Sequence, residues 1–286
     1  MNRQKQLIHI VNPIKSYLDS VEHELHEQLK DIEYSHTQTN PLSRHSDKAL
    51  NHPFKSHGKR LRPALMIFSA QAAATHPLPE KETVIKLATA VEIIHTASLV
   101  HDDVIDEAIF RRGRLSTNAR YGNKIAVLSG DILLTQFYTL VSGLTELHAS
   151  TRFVLLDLLM TVTRRMCFGE VYEEKIRAGK MKVDFNLYID TIENKTASLM
   201  SGCCEAGGIV AGATKDHMQA LVDFGRHIGM AYQLLDDLAD KDAIFLLKDE
   251  VSEAVEEHLI AARASLVCLP NNTGSKGLSA LLDLLA

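Results

Sequence analysis

Tryptophan is absent from this 286-residue chain, and cysteine is scarce, with four residues in all. Cys203 and Cys204 are adjacent and poorly placed to pair with each other, while Cys167 and Cys268 lie far away in the sequence. The cysteine pattern therefore predicts reduced thiols in a cytoplasmic protein. Neither sign of charge dominates, because 36 acidic residues face 31 basic ones, and this balance gives no electrostatic reason to expect a nucleic-acid partner.

Long apolar runs are also missing. The sequence has no uninterrupted stretch of about 18 apolar residues, so it predicts no membrane span. The N-terminal segment is basic but has neither a sustained apolar core nor a small-residue cleavage site, which argues against a signal peptide.

Proline is confined to the two ends of the chain. Six of the seven prolines lie at or before Pro79 and the seventh is Pro270, which leaves about 190 residues free to form long helices. Apolar residues in this region recur at intervals of three and four, as at Leu87, Val91 and Ile94, and no alternating strand pattern is present. The sequence predicts an all-α fold and a single domain over residues 1–286 without a linker. It predicts a loop with at most a short helix at 35–57, and helices at 1–32, 63–76, 81–104, 123–146, 150–178, 185–213, 215–240, 248–268 and 275–286.

Two acidic boxes with the spacing Asp-Asp-x-x-Asp each end an apolar helical stretch. The first contains Asp102, Asp103 and Asp106, and the second contains Asp236, Asp237 and Asp240. On a helix the first and last aspartate of each box share a face, and their repulsion costs roughly 3 kcal/mol per pair at about 6 Å. A cation that offsets this repulsion is expected, and hard oxygen ligands favour Mg²⁺ completed by substrate phosphates. The alternative is a solvated acidic helix end, which two such boxes make less attractive than one.

Basic residues are clustered in two short segments, Gly58-Lys59-Arg60-Leu61-Arg62-Pro63 and Arg111-Arg112-Gly113-Arg114. Arginine suits bidentate phosphate contacts and lysine supplies a compact charge. Either segment alone could be an ordinary solvated turn.

Taken together, these motifs resemble those of the trans-type isoprenyl diphosphate synthases, or polyprenyl synthetases. The resemblance extends over about residues 45–242 and includes both acidic boxes and both basic segments, together with His95, Gly169-Glu170, Lys195-Thr196 and Gln233.

The resemblance implies a helical bundle around a deep central cavity, with the two acidic boxes facing each other across its mouth. It also implies Mg²⁺, with three ions expected around the bound diphosphate, and a homodimer. Asp102, Asp106 and Asp236 would be the main metal ligands, supported by Asp103, Asp237 and Asp240. The allylic diphosphate would contact Arg111, Lys195 and Gln233, with Thr196 stabilising the cation, and isopentenyl diphosphate would contact Lys59, Arg62, His95 and Arg112.

Small residues precede the first box where an aromatic residue limits product length in this family. These are Ala97 and Ser98, and Ile94 lies one turn further down the helix. The resemblance therefore implies a deep tunnel and a product of twenty carbons or more. The alternative is that small residues serve close helix packing.

The resemblance breaks after Asp240, where roughly 30–40 residues of the family pattern are absent and Lys241 or Lys248 would have to replace a missing lysine. Glu173 also stands where the family has Gln or Asp. This shortening keeps open a non-catalytic or regulatory subunit of a heteromeric synthase. A terpene cyclase that uses one diphosphate is a further alternative, which the retained basic residues disfavour.

Overall fold

The computed structural model describes residues 3–37, 48–56, 58–74, 80–182, 184–240 and 248–285, and these are almost entirely helical. The helices are α1 (Arg3–Val11), α2 (Lys15–Thr37), α3 (Leu61–Ala73), α4 (Lys81–Ile105), α5 (Thr117–Tyr121), α6 (Asn123–Ser142), α7 (Ala149–Arg177), α8 (Phe185–Ile192), α9 (Ser198–Val210), α10 (Lys215–Asp240), α11 (Lys248–Ser265) and α12 (Thr273–Asp283). The all-α prediction is confirmed.

The prediction of one helix over residues 1–32 is wrong, because the structure has two helices in this region, α1 and α2. Pro13 lies in a 3₁₀ turn, Asn12–Ile14, between α1 and α2. Proline cannot donate the backbone hydrogen bond that a continuous helix requires, so the helix is interrupted there. The second part then continues to Thr37, beyond the predicted end at residue 32.

A small β-hairpin follows α4, where the sequence predicted no strand. Strand β1 (Phe110–Arg111) pairs antiparallel with β2 (Arg114–Leu115). The two turn residues, Arg112 and Gly113, have φ angles of 52° and 74°. Two consecutive positive φ angles are the requirement of a type I′ turn, which matches the twist of a tight hairpin.

The core forms around α3, which is buried along most of its length. Helix α9 approaches it closely at Gly207, where an added Cβ would lie 2.5 Å from the carbonyl oxygen of Met66. Helix α12 packs on the same helix through Gly277, opposite Phe68. Helix α4 packs against α3 and α6, and this packing fixes the position of its C-terminal acidic box.

A π-helical turn, Glu193–Ala197, joins α8 to α9 within one continuous helical segment. The widened turn inserts an extra residue relative to α-helical geometry. It packs against both α7 and α10, and it carries Lys195 and Thr196.

Two helices are long and apolar enough to cross a membrane by length and composition, although no membrane is part of the structure. In α4 the apolar window is 72% buried, as expected for a core helix, whereas in α6 it is only 39% buried. The prediction from uninterrupted apolar runs did not detect these two helices, because isolated polar residues break each run.

Candidate active site

The first acidic box lies at the C-terminal end of α4, opposite the acidic face of α7. Carboxylate oxygens of Asp106, Glu170 and Glu174 lie within 4.8 Å of one another. Glu170 and Glu174 are four residues apart on α7 and therefore share one face. Oε1 of Glu170 is buried and accepts no hydrogen bond from the described part of the chain. Three hard oxygen donors in this arrangement fit a divalent cation such as Mg²⁺.

Asp102 lies next to this cluster and is partly buried. Burial and the neighbouring Glu170 carboxylate raise the pKa of Asp102 to about 7. A cation held beside it would favour the ionised form, because the opposite charge compensates both the desolvation and the repulsion.

Lys195 forms ion pairs with two carboxylates of α7. Its Nζ lies 2.7 Å from Glu170 and 2.6 Å from Glu173, which also pairs with Arg177. Burial opposes the charge of Lys195, but the two carboxylates raise its pKa above the usual range. Lys195 therefore remains protonated and is held at the junction between α7 and the π turn.

The second acidic box is oriented by a network of hydrogen bonds. Thr196 Oγ1 donates to Gln233 Oε1 at 2.8 Å, and Gln233 Nε2 donates to Asp237 Oδ1 at 2.7 Å. The hydroxyl of Tyr188 donates to Asp237 Oδ2 at 2.6 Å. Burial and the charges of Glu173 and Asp236 raise the pKa of Asp237, although the hydrogen bonds from Tyr188 and Gln233 oppose this rise.

Not every aspartate of the two boxes faces the cluster. Asp103 is 3% exposed and pairs with Arg111, whose Nε and Nη2 lie 2.8 and 2.5 Å from Oδ1. Asp236 is exposed at the end of α10. The side chain of Asp240 and residues 241–247, where the sequence departs from the family pattern, lie outside the described residues.

The first basic segment is divided by burial. Lys59 is exposed, whereas Arg60 is buried and its guanidinium bonds to Glu22 and Glu92. Arg60 therefore contributes to the fold. Arg62 Nη1 lies 3.1 Å from His95 Nε2.

His95 is neutral in this environment. Burial and the nearby Arg62 and Arg112 cations hold its pKa well below the usual range, so Nε2 can accept from Arg62. Arg112 itself is exposed and reaches back over Gly58, where an added Cβ would lie 2.8 Å from the Arg112 Nη1 atom. Two cations from different segments are thereby brought to one side of α4.

The same helix carries the residues considered for product length. Ala97 and Ile94 are fully buried, and Ser98 is partly buried with its hydroxyl donating to the His95 carbonyl at 2.9 Å.

A model of the polyprenyl synthetase family matches residues 43–243. The chain belongs to this family. An octaprenyl diphosphate synthase from Haemophilus influenzae is 38% identical over 186 residues, which cover 65% of this chain and 53% of that protein. Heptaprenyl diphosphate synthase component 2 from Bacillus subtilis is 31% identical over 218 residues, which cover 76% of this chain and 59% of that protein.

A solved FPP/GFPP synthase from Zymomonas mobilis superimposes with a TM-score of 0.85 at 23% identity, covering 98% of this chain and 100% of that one. This likeness confirms the isoprenoid synthase fold. The chain spans little more than half the length of the curated polyprenyl synthetases that it matches.

Three residues in the site were missed by sequence reasoning. Glu170 was matched only as part of a family motif and was given no role. Glu174 is part of the carboxylate cluster, and its spacing of four from Glu170 on a helix was an available signal. Tyr188 contacts the second box from α8, and no sequence pattern singled it out.

Proposed function

We propose that this polyprenyl synthetase is a Mg²⁺-dependent prenyltransferase that condenses isopentenyl diphosphate with an allylic diphosphate. The product would be a trans-polyprenyl diphosphate of twenty carbons or more. The observation that carries the proposal is the meeting of Asp106 with Glu170 and Glu174 beside Lys195, which combines a cation site with a charged donor. The long-chain products in the names of the octaprenyl and heptaprenyl relatives support the product class.

Mg²⁺ would be held by Asp102 and Asp106 with Glu170 and Glu174 on one side, and by Asp236, assisted by Asp237 and Asp240, on the other. When bound, Mg²⁺ neutralises the charge that develops on a diphosphate leaving group. Three ions are the proposed number, as in the family pattern. Cofactor identity rests on the donor chemistry, because carboxylate oxygens are the ligands that Mg²⁺ prefers.

Positioning of the allylic diphosphate is assigned to Arg111, Lys195 and Gln233. Lys195 is already held by two carboxylates, so it can turn to a phosphate oxygen when Glu170 engages a cation. Thr196 and Gln233 are joined by a hydrogen bond, and their oxygen atoms would stabilise the developing allylic cation. Cleavage of the carbon–oxygen bond would then give the allylic cation and free diphosphate. The double bond of isopentenyl diphosphate would attack this cation, and the new cation formed by the attack would lose a proton to the released diphosphate.

Binding of isopentenyl diphosphate is assigned to Lys59, Arg62, His95 and Arg112. The neutral His95 holds Arg62 in place at 3.1 Å, and the exposed Lys59 and Arg112 are available to phosphate oxygens. A second diphosphate site is unnecessary for a cyclase that uses one allylic substrate, so this arrangement favours condensation.

Product length is assigned to the α4 face that contains Ala97, Ser98 and Ile94. Small side chains at the first two positions leave room for a growing chain, and Ile94 would form the floor. Their burial is compatible with a tunnel and equally with close packing, so the product of an Ala97 variant decides between them.

A homodimer is the proposed assembly. Helices α6 and α7 carry exposed apolar side chains, including Leu128 at 56% and Phe153 at 72% exposure. Large exposed apolar surfaces mark association sites. A heteromeric assembly is the second candidate, because one relative is named as a component of a synthase.

All four cysteines are free thiols, which supports the proposed cytoplasmic location.

The experiment that tests the proposal supplies purified protein with isopentenyl diphosphate, Mg²⁺ and an allylic primer of five, ten, fifteen or twenty carbons. Elongated products would support the synthase. Diphosphate release without isopentenyl incorporation would instead indicate a cyclase, and activity that appears only with a second chain would indicate a subunit. Lys195→Ala is the inactive control, and exposed Lys215→Ala on α10 is its matched counterpart.

A further inference from the structure

A pair of histidines lies between α10 and α11, and no step proposed above uses it. Nδ1 of His227 lies 2.8 Å from Nδ1 of His258, and the ring centroids are 5.1 Å apart with planes tilted by 41°. Both side chains are partly buried. Two ring nitrogens from different helices thus face each other at a distance that requires one to donate and the other to accept.

We propose that His227 and His258 form a two-histidine binding site for a divalent transition metal such as Zn²⁺ or Ni²⁺. A metal at about 2.0–2.1 Å from two nitrogens holds them roughly 2.8–3.0 Å apart in octahedral geometry and roughly 3.3–3.4 Å apart in tetrahedral geometry. The observed separation needs to open by at most a few tenths of an ångström. Binding shifts the shared proton to an Nε2 atom, which leaves an Nδ1 lone pair on each ring, and water completes the coordination.

The electrostatic surroundings favour this chemistry. Burial lowers the pKa of both histidines, so that the neutral imidazoles needed for ligation predominate near neutral pH. Asp223 on α10, Glu257 on α11 and Glu193 on the π turn attract a cation, while Arg226 opposes it. Arg226 is itself paired with Glu193 at 2.6 Å, which reduces its effect on the pair.

Metal preference separates this site from the carboxylate cluster. Imidazole nitrogen suits Zn²⁺, Ni²⁺ and Cu²⁺, whereas Mg²⁺ prefers oxygen ligands. Saturating Mg²⁺ should therefore fill the carboxylate cluster and leave the histidine pair available.

The position of the site gives it a structural consequence. Val251, Ala254 and Val255 of α11 pack in one apolar cluster with Met230 and Leu234 of α10. A metal held by both helices would tie α11 to the helix that ends in the second acidic box. Because an unfolded chain lacks this geometry, binding would stabilise the folded state.

The test is a titration of the full chain with Ni²⁺ in saturating Mg²⁺, followed by isothermal calorimetry and by the midpoint of thermal unfolding. We expect one equivalent of Ni²⁺ to bind and to raise the midpoint. His227→Asn and His258→Asn should each lose this binding, whereas His148→Asn, which replaces an exposed histidine on another surface, should retain it. Absence of binding in the unmodified chain, or its retention in both pair variants, would overturn the proposal.

A second measurement covers the case in which either variant fails to fold, as judged by circular dichroism in EDTA. The unmodified chain would be treated with diethyl pyrocarbonate with and without Ni²⁺, and modified histidines would be located by mass spectrometry. Protection of both His227 and His258 is expected, and equal modification under the two conditions would refute the site.

Discussion

Replacement of Arg60 by methionine separates the structural cation of the first basic segment from Lys59 and Arg62, the neighbours that are proposed to bind substrate. Arg60 is 8% exposed and bonds to Glu22, which is 29% exposed, and to Glu92, which is 3% exposed. Because Glu22 is partly solvated, loss of its bond should cost at most about 1 kcal/mol. Loss of the bond to Glu92 leaves a buried carboxylate uncompensated, and such losses cost about 3–5 kcal/mol.

We therefore expect Arg60→Met to lower the free energy of unfolding by about 3–5 kcal/mol, measured by urea denaturation. The positive φ of 49° at this position burdens arginine and methionine alike, so it cancels in the comparison. Exposed Lys59→Met is the matched control and should change stability by less than about 0.5 kcal/mol. In the double variant Arg60→Met with Glu92→Leu, much of the loss should return, because both charges of the buried Arg60–Glu92 pair are then removed.

The pH dependence gives an independent check. Burial raises the pKa of Glu92 above 4.5 in the folded chain, and Arg60 opposes this rise. Without Arg60 the folded pKa rises further, so the folded state holds more protons than the unfolded state over a wider range above pH 4.5. Stability of the variant should then fall as pH rises through that range. A variant that unfolds like the unmodified chain but binds diphosphate weakly would refute the structural role of Arg60.

Three further variants test the site. Gly169→Ala would place a Cβ 2.5 Å from the backbone nitrogen of Lys195, so we expect a loss of about 1–3 kcal/mol in urea denaturation, and an unchanged stability would contradict this close approach. Glu174→Gln should raise the Mg²⁺ concentration for half-maximal activity by about tenfold or more, whereas exposed Asp157→Asn on the same helix should leave it unchanged. Ala97→Phe should shorten the products, as sized by chromatography, and unchanged lengths would show that this face of α4 does not line the tunnel.

Much of the fold could be predicted because helices longer than ten residues leave a clear period in the sequence. The α4 prediction, residues 81–104, differs from the observed helix by a single residue at its end. The hairpin at Phe110–Leu115 could not be predicted in this way, because two-residue strands are too short to show an alternating pattern. Its turn also uses Arg112 in a left-handed conformation that sequence propensity assigns to glycine or asparagine.

The charged motifs of the site could be located from the sequence. Which of these charges form ion pairs within the fold could not. The sequence presents Lys59, Arg60 and Arg62 as equivalent cations, and only burial reveals that Arg60 pairs with glutamates from α2 and α4. These partners lie 38 and 32 residues away in the chain, beyond the reach of local spacing rules. Ion pairing between distant segments depends on helix packing, which local patterns do not specify.

The π turn lets one helical segment serve two neighbours that lie in different directions. Lys195 reaches carboxylates on α7, while the next residue, Thr196, reaches Gln233 on α10. If the same residues wound as an ordinary α-helix, everything downstream would rotate by roughly one residue's turn, about 100°. Gly207 would then turn away from Met66, and bulkier side chains would meet α3 instead. The local irregularity therefore sets the phase of α9, so that the contacts of the candidate site and the packing of the core depend on the same widened turn.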